Sequence, residues 1–259
     1  MNDQPQRQDG EPLEEQARRE PVLNLPPVVI ALIAICVVVY VVGAELLSAD
    51  AYDVLLDYAA FHSDAVSLAA LPTLVTYSFL HGSITHLAVN MVWLAAFGSP
   101  LANRLGWRRF LVFWAVTAAC AAALYWLLHS SEPIVLVGAS GAISGMTGAV
   151  ARFGFRINRS HGNKAAFSGE PLPVLMCLRL RAVVVFLAIW FAINLLTGLV
   201  QFTPGVDAPI AWEAHIAGFL VGFLGLGWFD RGPGGRLPPD RSPDDEEATD
   251  AAPPSGRPA

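Results

Sequence analysis

The sequence predicts an all-α polytopic membrane protein, and three observations carry that prediction. The 259 residues are 54% hydrophobic and only 15% charged, which is too apolar for an ordinary soluble domain. Six apolar stretches, at about 27–47, 76–98, 109–128, 140–157, 182–201 and 211–229, each approach the roughly 20 residues that a hydrocarbon core of about 30 Å requires. The 16 Lys and Arg residues all fall in alternate segments between or beyond these stretches.

That distribution sets the orientation. Arg7, Arg18 and Arg19 precede the first span, and Arg104, Arg108 and Arg109 lie between the second and third. Arg152, Arg156, Arg159, Lys164, Arg179 and Arg181 lie in or beside the connection between the fourth and fifth, and the last four basic residues are in the C-terminal tail. The other loops have none, although they carry Asp50, Asp53, Asp57, Asp64, Glu132 and Asp207. This is the positive-inside pattern of six spans with both termini cytoplasmic. Arg outnumbers Lys 15 to 1, as in a GC-rich bacterial genome, so the expected location is a bacterial inner membrane.

Taken in order, residues 1–21 are polar, charged and free of aromatics, and are expected to form a disordered cytoplasmic tail. The membrane domain is expected over 22–230. Its first span lies too far from the N-terminus, with the wrong flanks, to be a cleaved signal peptide. Between the first two spans, Tyr52, Leu55, Leu56 and Ala59 recur at helical spacing opposite Asp53 and Asp57, which predicts a short helix in the outer interface. The connection from 158 to 173 carries Gly162, Gly169, Pro171 and Pro173 and reads as a cytoplasmic linker. Residues 231–259, rich in Pro, Gly and Asp, are expected to form a second disordered tail. No internal repeat is visible, which argues against transporter folds built from paired halves. Cys36, Cys120 and Cys177 lie in or beside apolar runs and read as small buried hydrophobes.

The chemistry-bearing residues sit in three spans. Ser140 opens the fourth, within Val137-Gly138-Ala139-Ser140-Gly141-Ala142, and His215 lies in the sixth, within Ala214-His215-Ile216-Ala217-Gly218. A hydroxyl and an imidazole held in a bilayer read as a serine nucleophile and its base. Ser140 precedes Arg152 by 12 residues and Arg156 by 16. At 1.5 Å per residue that is a rise of roughly 18–24 Å, so Ser140 is expected about 6–12 Å below the outer surface. His215, 15 residues before Asp230, comes to a similar depth at roughly 22 Å of rise. Residues 133–139 must then descend in a non-helical path, which is tolerated only inside protein or beside water. Gly141 and Gly145 in one helix, and Gly218 and Gly222 in the other, form small-xxx-small pairs that let two backbones touch. In the second span His86 and Asn90, four apart, share a face and can donate hydrogen bonds to an oxyanion. The Ser140 backbone N–H, at a helix start favoured by the dipole, is a further donor.

These elements together resemble the rhomboid family of intramembrane serine proteases. The likeness runs over roughly 73–229, through Leu80-His81-Gly82-Ser83 to Asn90, Gly138-Ala139-Ser140-Gly141 and Ala214-His215. It implies a rhomboid-like six-transmembrane-helix bundle with a short, central fourth helix. It implies a Ser140–His215 dyad without a third acid, and an oxyanion site from His86, Asn90 and the Ser140 amide. It also implies a supporting role for His81 in the loop around the second span. The chain departs from the family pattern at Pro72-Thr73, where a Trp-Arg pair is frequent, and at Ser144, where an aromatic often packs on the base. It departs again at Ala217 and Glu213.

The expected function is a serine endopeptidase that cleaves transmembrane segments of other membrane proteins near the outer boundary. Its partners would be those substrates and membrane lipid. Neither a cofactor, a metal nor a nucleic acid is expected: His81 and His86 fall about 140° apart on a helix, and no Asp, Glu or Cys completes a site with them. Two other readings fit fewer residues. A non-cleaving rhomboid-like binder of transmembrane helices would not need both Ser140 and His215. A transporter or channel would need polar residues continuing through the cytoplasmic halves of the helices, which are nearly all apolar.

Overall fold

The computed structural model describes residues 25–155, 170–200 and 211–230. The tails and most of the 158–173 linker lie outside them. The described residues are mostly helical. Helix α1 (Pro27–Val41) runs on through a wide turn at Val42–Leu46, and α2 (Ala49–Ala59) follows, with Ser48 as its N-cap accepting from the Ala51 amide. After a two-residue strand β1 (Phe61–His62) come the short α3 (Thr73–Thr76), a 3-10 turn at Tyr77–Phe79, and α4 (Ile84–Trp93). Next are α5 (Ser99–Leu105), α6 (Trp107–His129), strand β2 (Val135–Leu136) and α7 (Ser140–Ala151). The short α8 (Val174–Cys177), α9 (Arg181–Val200) and α10 (Trp212–Phe229) complete the order.

Among the described residues five helical stretches are long and apolar enough to cross a membrane: Pro27–Leu46, Ile84–Leu105, Trp107–His129, Arg181–Leu199 and Trp212–Phe229. Their outer faces carry exposed apolar side chains such as Val38, Val92, Leu128, Ile193 and Leu224, as lipid contact requires.

The second stretch differs from its predicted bounds. The segment before it breaks at Leu80, whose backbone is extended, and the long helix starts only after Ser83, whose hydroxyl accepts from the His86 amide. At the other end, Gly98-Ser99-Pro100 does not stop the chain. A π turn at Leu94–Gly98 absorbs the donor that proline lacks, and the helix continues as α5 to Gly106, where φ is +74°. The predicted fourth span is also shorter than its pattern. α7 ends at Ala151 because Arg152 turns the chain: its Nε donates to Leu172 O at 2.8 Å, Nη1 donates to Phe223 O at 3.1 Å, and its carbonyl accepts from Leu172 N at 2.8 Å.

With 12 residues α7 rises about 18 Å, and every residue from Gly141 to Ala151 is buried. Its small side chains make that possible. A Cβ on Gly141 would stand 2.7 Å from Ala121 of α6, and one on Gly145 would stand 2.6 Å from Thr117 of the same helix. On the α10 side the backbones meet directly, since a Cβ on Gly218 would overlap Gly141 O and one on Gly148 would overlap Phe219 O. Below this contact Trp114, Phe110, Phe113, Leu94, Leu101 and Met146 fill the main core. A second cluster, with Leu172, Val183, Leu187, Phe219 and Phe223, seats α9 against α10.

At one end of the bundle Arg104 closes onto Asp230, with Nε at 2.9 Å and Nη2 at 2.6 Å from Oδ2, and its guanidinium lies 4.9 Å from the Phe153 ring centre. At the opposite end His129 lies 3.5 Å from both Glu132 and Glu213. His129 thus sits between the end of α6 and the first turn of α10. His62 likewise has a partner, Leu56 O at 3.2 Å from Nε2. His161 lies outside the described residues. The three cysteines are free thiols, with Cys36 and Cys177 buried.

Candidate active site

Ser140 is brought to its position by main-chain pairing. β1 and β2 form an antiparallel bridge with Phe61 opposite Leu136 and His62 opposite Val135. Ser63 reinforces it, donating to Glu132 O and accepting from Ile134 N at 3.0 Å. The chain then descends without helix to Gly138, whose N–H donates to Tyr77 O at 3.0 Å. The Tyr77 hydroxyl in turn donates to Ala118 O at 2.9 Å. The inner part of the non-helical path is therefore enclosed by protein, with Leu136, Gly138 and Ala139 buried, while Val135 nearer its start stays exposed.

Gly138 has φ +117°, a conformation that only glycine adopts without strain. The same position admits the His86 ring. A Cβ there would lie 2.7 Å from His86 Cε1 and Nε2, and 3.8 Å from Ser140 Oγ. His86 and the Ser140 hydroxyl therefore border one small space.

Ser140 starts α7 with no side-chain cap before it, and its own N–H has no acceptor among the described residues. At a helix N-terminus that amide is an orphan donor. Across the gap, Ser140 Oγ lies 2.8 Å from His215 Nε2, although the two residues are 75 positions apart. The other ring nitrogen, Nδ1, lies 2.7 Å from Asn194 Oδ1 on α9.

The remaining residues singled out from the sequence fall as follows. Asn90 is buried, and its Nδ2 donates to His86 O at 2.8 Å, which braces the turn that carries His86. His81 is 3% exposed, sets its ring edge-on to His86 with centres 5.2 Å apart, and has no hydrogen-bond partner at either nitrogen among the described residues. It borders a hollow of about 330 Å³ formed with Val39, Tyr40, Gly43 and Tyr52. Gly141 and Gly218 form the close contact between α7 and α10. Ser144, one turn below Ser140, is buried. Among the described residues no three His, Cys, Asp or Glu side chains are grouped to hold a metal ion.

Sequence reasoning missed Asn194 and Tyr77. A signal for Asn194 was present: it is a hydrogen-bonding side chain in the middle of an apolar span, where such groups are costly and face protein. Tyr77 carried no comparable signal, because the carbonyl that pairs with Gly138 belongs to the main chain.

A nucleophile, a base and unpaired donors gathered below one end of a helical bundle can support acyl transfer. Comparison with known proteins points the same way. The family model described as Rhomboid domain matches residues 69–231. "Rhomboid protease GlpG" of Serratia proteamaculans (strain 568) is 26% identical over 205 residues, covering 79% of this chain and 63% of that protein. "RHOMBOID-like protein 5" of Arabidopsis thaliana is 26% identical over 151 residues, covering 58% of this chain and 43% of the relative. "RHOMBOID-like protein 4" of the same plant is 28% identical over 151 residues, covering 58% and 32%. The chain thus spans from about a third to less than two thirds of the length of these curated relatives.

Proposed function

The chain belongs to the rhomboid family and is an integral membrane protein, and from that footing we propose that it is a serine endopeptidase cutting transmembrane segments of other membrane proteins. The observation that carries the reading is the 2.8 Å approach of His215 Nε2 to Ser140 Oγ at the head of a wholly buried helix. The proposed membrane domain is residues 22–230, with α7 as a short central fourth span, both termini cytoplasmic, and the site opening toward the outer face of a bacterial inner membrane.

In the proposed mechanism His215 Nε2 takes the Ser140 proton as Oγ adds to the substrate carbonyl carbon. It then delivers that proton to the leaving amine as the C–N bond breaks. Water repeats the sequence on the acyl-enzyme and frees the new carboxyl end. The Ser140 amide, His86 and Asn90 serve the oxyanion, in a place of low dielectric where a fixed donor is worth most. His81 and Gly138 hold the His86 side of the site. Gly141 and Gly218 hold nucleophile and base together. A helical substrate hides its carbonyls in i to i−4 bonds, so the substrates are those with Gly, Ala or other residues that let a helix open near the outer boundary.

The test is cleavage of a transmembrane reporter in detergent by the wild type, Ser140→Ala and His215→Ala. Cleavage by the wild type alone is expected, together with labelling of Ser140 by a fluorophosphonate. Equal turnover by all three proteins would end this reading. A wild type that binds the reporter but neither cuts it nor takes the probe would identify a non-cleaving binder.

A further inference from the structure

Asn194 has no part in the reaction as derived above, yet it touches the base. It lies on α9, 21 positions before His215, and is 9% exposed. Resting on the protease reading of Ser140 and His215, we propose that Asn194 is the positioning residue of the base. It holds His215 in the one tautomer and ring orientation that can accept the Ser140 proton.

Hydrogen-bond polarity fixes the assignment. Asn194 Nδ2 lies 2.9 Å from Trp190 O, a carbonyl that can only accept, so the amide NH2 must face it. Oδ1 then faces His215 Nδ1 at 2.7 Å, and a carbonyl oxygen can only accept there too. The proton of the neutral imidazole therefore sits on Nδ1. The lone pair of Nε2 is left facing Ser140 Oγ at 2.8 Å, which is what a general base requires. The opposite tautomer would point an N–H at the hydroxyl and leave two acceptors facing each other at 2.7 Å.

The arrangement continues to serve after proton transfer. When the Ser140 proton moves to Nε2, the Nδ1 proton stays in place and its bond to Oδ1 becomes charge-assisted. Asn194 gains and loses no proton. Soluble cysteine proteases built on Cys-His-Asn use an amide in the same relation.

The helix that carries Asn194 is seated on both sides of it. Trp190, one turn before, stacks on Phe219 of α10 with ring centres 4.8 Å apart, and Gly198, one turn after, lies against the Trp212 ring of α10. Asn194 is thus gripped between two contacts to the helix that bears the base. Ser144, one turn below Ser140, offers no ring to pack on the base, and the bond from α9 supplies that constraint.

The experiment uses the full chain in detergent, labelled with 15N-histidine. The His215 signals are identified by their loss in His215→Ala. The wild type is expected to show a neutral ring protonated at Nδ1. Asn194→Leu is expected to shift the proton toward Nε2 and to lower kcat about 10- to 100-fold with KM nearly unchanged, since base catalysis as a whole is worth about 10²–10⁴. Asn194→Asp keeps an acceptor at Nδ1 and is expected to recover most of the kcat lost in Asn194→Leu. A wild-type ring protonated at Nε2, or an Asn194→Leu protein with unchanged tautomer and kcat, would overturn the assignment while leaving the protease reading intact. A wild type that neither cuts the reporter nor takes a fluorophosphonate would remove the reaction itself, and the role of Asn194 with it, whatever the tautomer.

Discussion

The carbonyl of Gly145 fills the place where a Cβ on Gly222 would stand, so α7 and α10 touch main chain to main chain. Ser140 and His215 lie about a turn and two turns above that contact, on the same two helices. Their 2.8 Å separation is therefore set by glycines as much as by the two side chains themselves.

Gly222→Ala is expected to push the two helices apart. Overpacking of this kind typically costs about 1–3 kcal/mol, read as a lower unfolding temperature in detergent, and cleavage should fall as well. Gly227→Ala on the same helix is the control. A methyl there meets nothing within 4 Å, so stability and turnover should hold or rise slightly.

Gly138→Ala is expected to separate function from folding. The substitution strains a backbone at φ +117° and drives a methyl into the His86 ring. Misplacement of a catalytic group by about 1 Å can cost on the order of 100-fold in rate, and reporter cleavage should fall by that order. Gly82→Ala, with nothing within 4 Å of the new methyl, should cleave at the wild-type rate.

His86→Ala is expected to lower kcat by about 10²–10³, the usual worth of one oxyanion donor, with a much smaller change in KM. Asn90→Ala should also lower kcat. The double variant should lose less than the sum of the two, because the Asn90 amide braces the His86 carbonyl at 2.8 Å. Additive losses would mean that the two side chains act separately.

Arg104 and Asp230 form a pair whose side chains are 2% and 6% exposed. Arg104→Met alone leaves the buried Asp230 carboxylate without its guanidinium and should destabilise by about 3–5 kcal/mol, and Asp230→Leu alone removes the carboxylate that faces Arg104. The double variant should be more stable than either single one in thermal unfolding, and added salt should change little, since buried pairs are weakly screened.

How much of this was legible in the sequence depends on the kind of signal. Ser140 and His215 stand out because a nucleophilic hydroxyl and an imidazole are costly inside apolar runs, and the glycines around them follow helical spacing. The long helices α1, α6, α9 and α10 lie within a residue or two of their apolar runs where bounded by described residues, apart from the wide turn that ends α1. The second span was misplaced at both ends because hydropathy cannot see a cap at Ser83 or a π turn that carries a helix past Pro100. The fourth ran too long because the turn at Arg152 is made by carbonyls 20 and 71 residues away. Asn194 was missed because its role depends on the rotation of α9 about its own axis against α10, and no pattern within one helix encodes that angle.

The position of α10 has a temporal consequence. Ser140, the proposed nucleophile, is on α7 and its proposed base is on α10, which is also latched to the first half of the chain through Asp230 and Arg104. During synthesis every earlier segment can enter the bilayer while the serine still has no partner. On the proposed reaction, competence arrives only when α10 slides in beside α7, so a half-made copy would be harmless to its neighbours.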